Sequence, residues 1–448
     1  MSQAVATATG RPEKVQEPAL RGDPINAGRY TSSEYFRQEW QRMWMRTWQI
    51  GGVSYQAAEP GDYLVTELGP ESVLLVRQQD GSMKGFFNVC PHRGTRVMAG
   101  DEGSAERFTC PYHGWQFDHT GVVVAAPNAD DFPQGNPCGH LRMKPVQVAE
   151  LFGFIWFNMD AEAPSLTECL GPNVVEEIGS YRMEKMVRVL NMSTQADCNW
   201  KIITDNFNEA YHVQVLHPEL IPYIESQADI CQFDLLRGGH NRGWFPAHQP
   251  SMLYQGESVP EPLASMVREW DIDPEQWQGK NRLADIRLEV QKQKRRLGAA
   301  RGFAHYEHLK DYQLTDYIIY NLFPNSVITV GPDGVQLLRP RPHETDPQKC
   351  YFDHWWLVPE IEGRTMTPSP AGGPDLPVAD AEHEFVEYGT KTLGTTTDQD
   401  LSIAAVQQKG LSSAAMDDFY LSHQERRVQR FHEVLNDYVE GNTAARSV

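Results

Sequence analysis

The sequence predicts an α+β fold with two parts: a small antiparallel β domain, and a larger domain that combines an antiparallel sheet with helices. Between residues 47 and 162 the chain runs in short apolar stretches broken by Gly and Pro, such as DYLVTEL and FGFIWFNMD. After residue 162, helical patterns alternate with strand-like runs such as GVQLLRPRPH and CYFDHWWLVPE. A chain of 448 residues is long enough for two such domains.

Three segments follow from these patterns. Residues 1–46 are predicted to form a helical segment that packs on the larger domain, because SSEYFRQEWQRMWMRTW has a Ser cap at Ser32 or Ser33 and apolar residues at helical spacing. Residues 47–162 form the small β domain, whose Gln-Asp-Gly and Thr-Gly turns predict hairpins. Residues 163–448 form the larger domain, with helices predicted at 198–217, 261–300 and 399–437.

Charge and composition exclude several classes of partner. The net charge of −20 argues against recognition of nucleic acid or an anionic membrane by bulk charge. No run of eighteen apolar residues predicts a membrane span, and no secretory signal is visible, so we expect a cytoplasmic protein that acts on a small molecule. Seven cysteines without a dense framework fit a reducing compartment, where paired Cys and His spacings favour metal sites over disulfides.

A first metal-binding pattern lies in the small β domain. Cys90 and His92 form C-x-H, and Cys110 and His113 form C-x2-H, each pair just after a strand-like run. Zinc can be bound by two Cys and two His, but in zinc motifs the two Cys usually stand together in one half and the two His in the other. Here each loop supplies one of each, which suits a [2Fe–2S] centre with two thiolates on one iron and two imidazoles on the other. A zinc site formed by the same four residues is the alternative to the [2Fe–2S] cluster.

The residues around this pattern favour a compact, shielded cluster. Pro91, Gly94, Pro111 and Gly114 permit tight turns whose backbone N–H groups can point at cluster sulfurs. Trp115 is expected to cover the cluster.

A second pattern lies in DCNWKIITDNFNEAYHVQVLHPEL. On a regular helix Asp205, Glu209 and His212 share one face, whereas His217 lies about 140° from His212. Pro218 biases His217 out of the α region, so His217 can turn back toward His212. Two imidazoles and one carboxylate suit non-haem Fe(II) with open positions. The alternative is an amphipathic helix whose histidines sit at the negative end of its dipole.

The chain resembles the catalytic α subunit of the Rieske non-haem iron oxygenases, also called aromatic-ring-hydroxylating oxygenases. The resemblance is carried by NVCPHRGTRV, FTCPYHGWQFD, NWKIITDNFNEAYHVQVLHPEL, LFPN at 322–325 and QDLSIAAVQQKGLSS. It implies a Rieske [2Fe–2S] domain inserted in a helix-grip catalytic domain. It further implies a homotrimer or a multiple of three, in which the cluster of one subunit serves the iron of the next; an accessory β subunit is compatible with it.

The resemblance also assigns roles by position. Cys90, His92, Cys110 and His113 hold the cluster, and His212 and His217 hold the mononuclear iron. Glu209 stands where the family usually has an Asp, between the two metals, and is expected to couple them by hydrogen bonding to a histidine of each.

The resemblance also bears on Asp205 and on the third ligand of the mononuclear iron. Asp205 is expected to support the same network. The alignment of Gln408, Gly410 and Leu411 places the third iron ligand at Asp400, with Asp398 as the alternative, although Gln399 replaces a usual acid and Ala405 a common Glu.

The function implied is that of a terminal oxygenase component, which uses dioxygen and electrons from NAD(P)H, supplied by a separate reductase with or without a ferredoxin. The chain shows no G-x-G-x-x-G after a strand for binding the nicotinamide itself. Glu209 favours monooxygenation or oxidative N- or O-demethylation over arene cis-dihydroxylation. A pure electron carrier would not need His212, His217 or Asp400, and a structural zinc protein would lack iron altogether.

The substrate is expected to be apolar or aromatic, because the candidate pocket residues are mostly so. They come from the segment around the predicted iron histidines and from the strands opposite: Phe207, Leu216, Leu220, Ile221, Tyr223, Ile319, Leu322, Phe323 and Asn325.

Overall fold

The computed structural model describes residues 10–370 and 372–442, without the side chain of residue 281. Within these residues the chain forms two compact units. The small unit consists of Arg37–Cys169 and Pro342–Asp346, and the large unit of the remaining described chain. Residues 1–9 of the predicted N-terminal segment and residues 443–448 of the predicted larger domain lie outside the described residues.

The small unit contains antiparallel sheets, as the turn pattern predicts. In the described chain its strands form a seven-stranded sheet of order β1-β10-β9-β4-β3-β2-β5 and a three-stranded sheet β6-β7-β8. The interior strand β3 holds the fully buried run Val73–Val76, as a continuous apolar segment predicts. The strands are β1 (Gln49–Val53), β2 (Asp62–Leu68), β3 (Glu71–Arg77), β4 (Met83–Phe87), β5 (Glu102–Ser104), β6 (Phe108–Thr109), β7 (Gln116–Phe117), β8 (Val123–Ala125), β9 (Pro145–Leu151) and β10 (Phe154–Asn158).

The large unit is built on one long sheet of order β12-β13-β14-β15-β16-β17-β11-β20 within the described residues. The successive pairs from β12 to β16 and the pair β17–β11 are antiparallel, and β11 and β20 are parallel. Together with the helices below, this sheet confirms the predicted α+β class. The strands are β11 (Met186–Ala196), β12 (Gln232–Leu235), β13 (Asn241–Phe245), β14 (Tyr317–Leu322), β15 (Ser326–Gly331), β16 (Gly334–Pro342), β17 (Cys350–Pro359), β18 (Met366–Thr367), β19 (Leu376–Pro377) and β20 (Glu384–Phe385), of which β18 and β19 pair separately.

Two helices anchor the region around residue 205. The helix α4 starts at the N-cap Asn199, whose side chain accepts the N–H of Lys201 at 3.0 Å, and Trp200 packs edge-on against Phe431 of α9 at 5.9 Å. The helices of the described chain are α1 (Ser33–Arg42), α2 (Leu166–Leu170), α3 (Pro172–Gly179), α4 (Trp200–Phe207), α5 (Val213–Leu216), α6 (Leu263–Arg268), α7 (Lys280–Leu297), α8 (Thr395–Leu411) and α9 (Arg426–Glu440). None of them combines the length and apolar character needed to cross a bilayer.

The predicted long helices are wrong in one respect: each is divided. The segment 198–217 is broken after Phe207, the segment 261–300 holds α6 and α7, and the segment 399–437 holds parts of α8 and α9. The break in the first has a local cause. The Glu209 carboxylate accepts the backbone N–H groups of Tyr211 and His212, so it caps a new turn instead of continuing α4.

Two buried histidines make the stability of the large unit depend on pH. Burial, reinforced by the charge of Lys294, lowers the pKa of His248 to about 3. Burial also lowers the pKa of His354 to about 4, although its Nδ1–H donates to the Leu393 carbonyl at 3.0 Å. Because both histidines stay neutral in the fold while the unfolded chain takes up protons below about pH 6.5, stability falls as the pH drops below that value.

We therefore expect His354→Gln to flatten the acid side of the stability profile. The free energy of unfolding of the native protein should fall by about 1.4 kcal/mol per pH unit for each of the two histidines well below pH 6.5. Urea denaturation of the holoprotein, followed by circular dichroism at pH 7.0 and pH 5.5, measures this slope, with the exposed His423→Gln as control. An unchanged slope in His354→Gln would contradict the assignment.

Candidate metal centres

The first metal pattern is held by two loops of the same design. Gly94 donates its N–H to the Cys90 carbonyl at 3.0 Å, and Gly114 does the same to Cys110 at 3.0 Å. Both glycines have positive φ, +79° and +70°, which closes each turn where a side chain would strain it. The predicted tight turns are therefore present, and each presents one cysteine and one histidine.

The four side chains of these loops form one cluster. Both thiols are 2% exposed, and the rings of His92 and His113 lie 4.6 Å apart. Trp115 stacks on His92 at 4.8 Å with an interplanar angle of 7°, so it covers one of the four side chains. Burial raises the pKa of Cys90 to about 11, and the Cys110 thiol beside it adds to the rise.

This environment fits a metal cluster. Buried thiols with a high pKa become thiolates when a cation compensates their charge. The Nδ1 atom of His92 is enclosed and has no hydrogen-bond partner in the described part of the chain. Binding of a metal ion would explain a buried polar atom in this state.

The second metal pattern gathers three side chains that are far apart in the sequence. One donor atom each from His212, His217 and Asp400 lies within 4.8 Å of the others. The Asp400 Oδ1 atom is 2.9 Å from His217 Nε2 and 3.6 Å from His212 Nε2. His217 has φ −122° and ψ 57°, outside the helical region, as the following Pro218 predicts. The two imidazole rings meet at 5.2 Å.

Each histidine is held through its other ring nitrogen. The Nδ1 of His212 contacts the Glu209 carboxylate, and the Nδ1 of His217 bonds Gln399 Oε1 at 2.6 Å. Both Nε2 atoms therefore face Asp400. Burial alone would lower the pKa of His217, but the hydrogen bond and charge of Asp400 outweigh it and the pKa is raised. A divalent cation at this point would replace the shared proton, so the donor set fits one.

The helix α8 brings Asp400 to the histidines. Its Gln408 accepts the backbone N–H of Asn199 at 2.7 Å, so α8 is tied to the first residue before α4. Asp398, the alternative third ligand, points elsewhere: its carboxylate accepts Thr392 Oγ1 at 2.6 Å and the N–H of Leu393 at 3.0 Å. The structure thus brings Asp400 to the imidazoles, while Asp398 stabilises the start of α8.

Comparison with known proteins identifies the family. Residues 183–441 match the model for the ring hydroxylating alpha subunit (catalytic domain), and residues 47–146 match the Rieske [2Fe-2S] domain. The first match covers more than half of the chain. The chain belongs to the ring-hydroxylating α-subunit family. Its first metal pattern lies in a Rieske domain, which decides for [2Fe–2S] over zinc.

Relatives of this α subunit include subunits of a monooxygenase and of a dioxygenase. It is 31% identical over 232 residues to the carnitine monooxygenase oxygenase subunit of Acinetobacter baumannii, covering 51% of this chain and 57% of that protein. It is 36% identical over 207 residues to the chlorobenzene dioxygenase subunit alpha of Cupriavidus sp. strain PS12, covering 44% of each. The chain spans about half the length of the curated relatives it matches.

Solved structures share the fold over nearly the whole chain. A quaternary ammonium Rieske monooxygenase in complex with L-carnitine superposes with a TM-score of 0.61 at 19% identity, over 95% of this chain and 99% of that one. Naphthalene 1,2-dioxygenase with bound indole gives a TM-score of 0.65 at 18% identity, over 96% and 95%. At these identities the likeness establishes the fold.

Asp205 is not brought to the metal ligands of this α subunit. Its carboxylate accepts Tyr30 Oη at 2.5 Å and bonds His432 Nε2 at 3.0 Å. Because Arg29 donates to the Nδ1 of His432 at 2.9 Å, the proton of that ring is placed on Nε2, facing Asp205. These hydrogen bonds tie α4 to α9 and to the segment before α1.

The predicted pocket residues of the α subunit fall into separate groups. Phe207 borders a small cavity beside Asp400, and Ile319 packs on the apolar cluster Ala210, Cys231, Phe233 and Phe245. Leu322, Phe323 and Asn325 are instead buried near α9, where Phe323 stacks on Tyr438 at 5.3 Å. The half-buried residues that follow α5 or end it are Leu216, Leu220, Ile221 and Tyr223.

Sequence reasoning missed the other walls of the cavity beside Asp400. They are Ile203, Asn206, Phe352, Thr397, Leu401 and Ala404. The helical spacing Thr397, Asp400, Leu401, Ala404 on α8 was available as a signal, since these residues share one face. Gln399 was noted only as a departure from the family pattern, yet it is the residue that orients His217.

We expect Gln399→Leu to weaken the second metal centre about 10- to 100-fold in metal affinity or turnover, the usual loss when the partner of a ligand histidine is removed. Leucine cannot accept the His217 Nδ1–H. Iron content after dialysis against a graded chelator measures the effect. The exposed Gln407→Leu, on the same helix, should retain iron as the native protein does. Equal retention by both variants would show that Gln399 does not orient the ligand.

Proposed function

We propose that this α subunit is the terminal oxygenase of a multicomponent system, which uses dioxygen and NAD(P)H-derived electrons to hydroxylate a small molecule. The observation that carries the proposal is the approach of His212, His217 and Asp400 within 4.8 Å, in a chain that also has a Rieske domain. A protein that only carries electrons would need the Rieske domain but not the group of His212, His217 and Asp400. Electrons would come from a separate reductase, with or without a ferredoxin.

His212, His217 and Asp400 would hold the mononuclear iron, and Cys90, His92, Cys110 and His113 the [2Fe–2S] cluster. Iron in this ligand set supplies the activation of dioxygen, because three protein ligands leave positions open. The protein contributes the orientation of the ligands. Glu209 and Gln399 each accept the Nδ1 proton of one histidine, which fixes the ring and directs Nε2 to the metal.

Glu209 is proposed to couple the two metal centres. One carboxylate oxygen contacts His212 Nδ1, while the other accepts the backbone N–H groups of Tyr211 and of His212, the latter at 3.1 Å. These bonds hold the carboxylate in place. A fixed carboxylate on the histidine can accept a second donor from a cluster histidine of a neighbouring subunit. We therefore propose a homotrimer or a multiple of it, which native mass spectrometry would detect.

The reaction we favour is monooxygenation or oxidative demethylation, because Glu209 replaces the more usual Asp and because a carnitine monooxygenase is among the relatives. The second candidate is arene cis-dihydroxylation, favoured by the match to a chlorobenzene dioxygenase α subunit. The apolar residues near the site, such as Phe233 and Phe245, support an apolar or aromatic substrate body.

The test is turnover of a substrate panel by the holoprotein with a surrogate reductase, NADH and ¹⁸O₂, read by mass spectrometry. One labelled oxygen atom in the product, or formaldehyde release from a methylated substrate, supports monooxygenation; two labelled atoms support dihydroxylation. The double variant His212→Ala, His217→Ala is the control and should give no labelled product. Cluster reduction by NADH without iron in the native protein would overturn the proposal in favour of an electron carrier.

A further inference from the structure

A buried arginine packs on the apolar cluster that adjoins the Glu209 turn, and within the described residues it has no carboxylate partner. Arg427, on α9, is fully buried, and its guanidinium lies 4.7 Å from the centre of the Phe233 ring. Its Nη1 donates to Asn241 Oδ1 at 3.3 Å. Its Nε and Nη2 have no hydrogen-bond partner in the described part of the chain. These two N–H groups form the side of the guanidinium that binds a carboxylate through two parallel hydrogen bonds.

Other buried arginines in the large unit show what a purely structural role looks like. Arg242 donates Nε and Nη2 to Asp234 at 3.0 and 2.7 Å, and Nη1 to Glu177 at 2.5 Å. Arg287 likewise donates Nε and Nη2 to Asp316. A buried charge without such a partner is costly. Arg427 therefore differs from Arg242 and Arg287 because its Nε and Nη2 remain available to bind an anion.

Neither of the two carboxylates whose charge acts on Arg427 forms a hydrogen bond with it in the described residues. The Glu209 charge acts on Arg427, but the Glu209 carboxylate accepts from His212 and from two backbone N–H groups. Asp234 accepts from Arg242 through Oδ2, and its Oδ1 has no hydrogen-bond partner in the described residues, so it does not pair with Arg427 either. Burial lowers the pKa of Arg427 to about 10 in spite of the Glu209 charge. The guanidinium remains protonated near neutral pH and lacks a full counter-ion.

The surroundings of Arg427 connect it to the turn that carries the metal ligands. Phe233 belongs to a buried cluster with Ala210, Cys231 and Phe245, on which Val213 and Ile319 also pack. Ala210 follows Glu209, and Val213 follows His212, so this apolar cluster joins the arginine to the ligand turn. Gly243 makes room for the guanidinium, because a Cβ there would lie 2.9 Å from Nη1 and 2.8 Å from the Phe245 ring.

A second unpartnered donor lies in the same network. Asn208 is fully buried; its Oδ1 accepts Asn241 Nδ2 at 2.6 Å, but its own Nδ2 has no partner among the described residues. Asn241 thus links Asn208 and Arg427, whose three unsatisfied atoms are all donors, and Asn321, which donates to Asn241 and has one unsatisfied acceptor, Oδ1. The excess of donors in this network favours a ligand group that only accepts hydrogen bonds, such as a carboxylate.

We propose that the substrate carries a carboxylate and that Arg427 binds it through Nε and Nη2, which makes Arg427 a specificity-determining residue. This inference rests on the proposed oxygenase function. The apolar body of the substrate would then lie along the Phe233 and Phe245 cluster, and the position to be oxidised would face the His212 side. The acidic chain as a whole would not attract such a ligand, so its selection depends on this one buried cation.

The test compares acids with their uncharged amides. The probes are benzoate and benzamide, with cyclohexanecarboxylate and its amide as a second pair, added to the iron-loaded holoprotein. Binding is measured by calorimetry and by the change in the electron paramagnetic resonance spectrum of the nitrosyl complex of the mononuclear iron. We expect each acid to bind at least about 10-fold more tightly than its amide, as two charge-assisted hydrogen bonds would give.

Variants assign the preference to one side chain. Arg427→Met should remove the acid preference and Arg427→Lys should retain part of it. Arg296→Met is the control, because it also removes one positive charge, but from an exposed side chain of α7 that bonds Gln293, and it should keep the preference. Melting temperature and cluster absorbance check that the variants fold. Equal binding of acid and amide by the native protein, no binding of either, or an unchanged preference in Arg427→Met overturns the proposal.

The two proposals fail separately. Absence of mononuclear iron and of a nitrosyl signal in the native protein would reject the oxygenase function, whereas calorimetry would still show whether acids are preferred. An iron-loaded, active enzyme that ignores the carboxylate would reject only the role of Arg427.

Discussion

Asp400→Ala is expected to lose the mononuclear iron and with it essentially all oxygenase turnover, while the absorbance of the [2Fe–2S] cluster stays that of the native protein. Asp400 is the one carboxylate in the set that approaches both imidazoles, at 2.9 Å from His217 and 3.6 Å from His212. Removing it leaves two neutral ligands and no negative charge to offset the metal. We expect a turnover loss of at least about 100-fold, given the 10- to 100-fold cost of losing even an outer partner. Iron analysis and visible absorbance on the same sample measure both parts.

The matched control is Asp398→Asn, on the first turn of the same helix. Asp398 bonds Thr392 and the N–H of Leu393, so its replacement should cost about 1 kcal/mol of stability, as loss of a helix cap does, and leave the iron bound. If Asp398→Asn loses iron and Asp400→Ala keeps it, the third ligand is Asp398 and the arrangement proposed here is incorrect.

Glu209→Gln is expected to keep both metals but to lower NADH-coupled turnover about 100-fold. Glutamine preserves the length of the side chain and can still accept the His212 Nδ1 proton, so the ligand remains oriented. The substitution removes the negative charge. It also puts an NH2 group, which donates hydrogen bonds and does not accept them, at the position where Oε2 accepts two backbone N–H groups. The coupling between the metal centres should therefore fail while each centre is intact. Stopped-flow measurement of cluster reoxidation by substrate and dioxygen isolates this step.

The comparison for this variant is Glu307→Gln, which removes a charge from an exposed side chain of the same unit. It should reoxidise its cluster at the native rate. A Glu209→Gln protein that also does so would show that the carboxylate charge has no part in electron transfer. Loss of iron from Glu209→Gln would instead assign Glu209 to ligand orientation alone.

Much of the site could be predicted from the sequence because its chemistry depends on residue types at short spacings. The two Cys-and-His loops are each closed by a glycine at a fixed offset, and both glycines do adopt positive φ. Pro218 correctly predicted that His217 leaves the helical region. Strands such as β2, β16 and β17 were predicted for the same reason, since their alternation or apolar runs are local features.

The parts that could not be predicted depend on contacts distant in sequence or on competition between side chain and backbone. The helix pattern through residues 198–217 is continuous, and only the hydrogen bonds of Glu209 to the following backbone N–H groups break it. Asp205 shares a helical face with Glu209 in the sequence, yet Tyr30 and His432 bind it instead. The contacts of Arg427 are likewise made with distant residues, Phe233 of β12 and Asn241 of β13, and the sequence around Arg427 does not indicate them.

The hydrogen bonds of Asp205 have a consequence for biosynthesis. Its partners lie 175 residues before it and 227 residues after it, so α4 cannot be anchored until α9 has been translated. The loops proposed to hold the cluster lie within Arg37–Cys169, the main segment of the small unit, which emerges from the ribosome long before α8 and α9. Domains tend to fold in order of synthesis. We therefore expect nascent chains to be competent for cluster insertion well before they can retain iron. A ribosome stalled beyond residue 170 but before residue 400 would carry a brown, redox-active, catalytically silent protein.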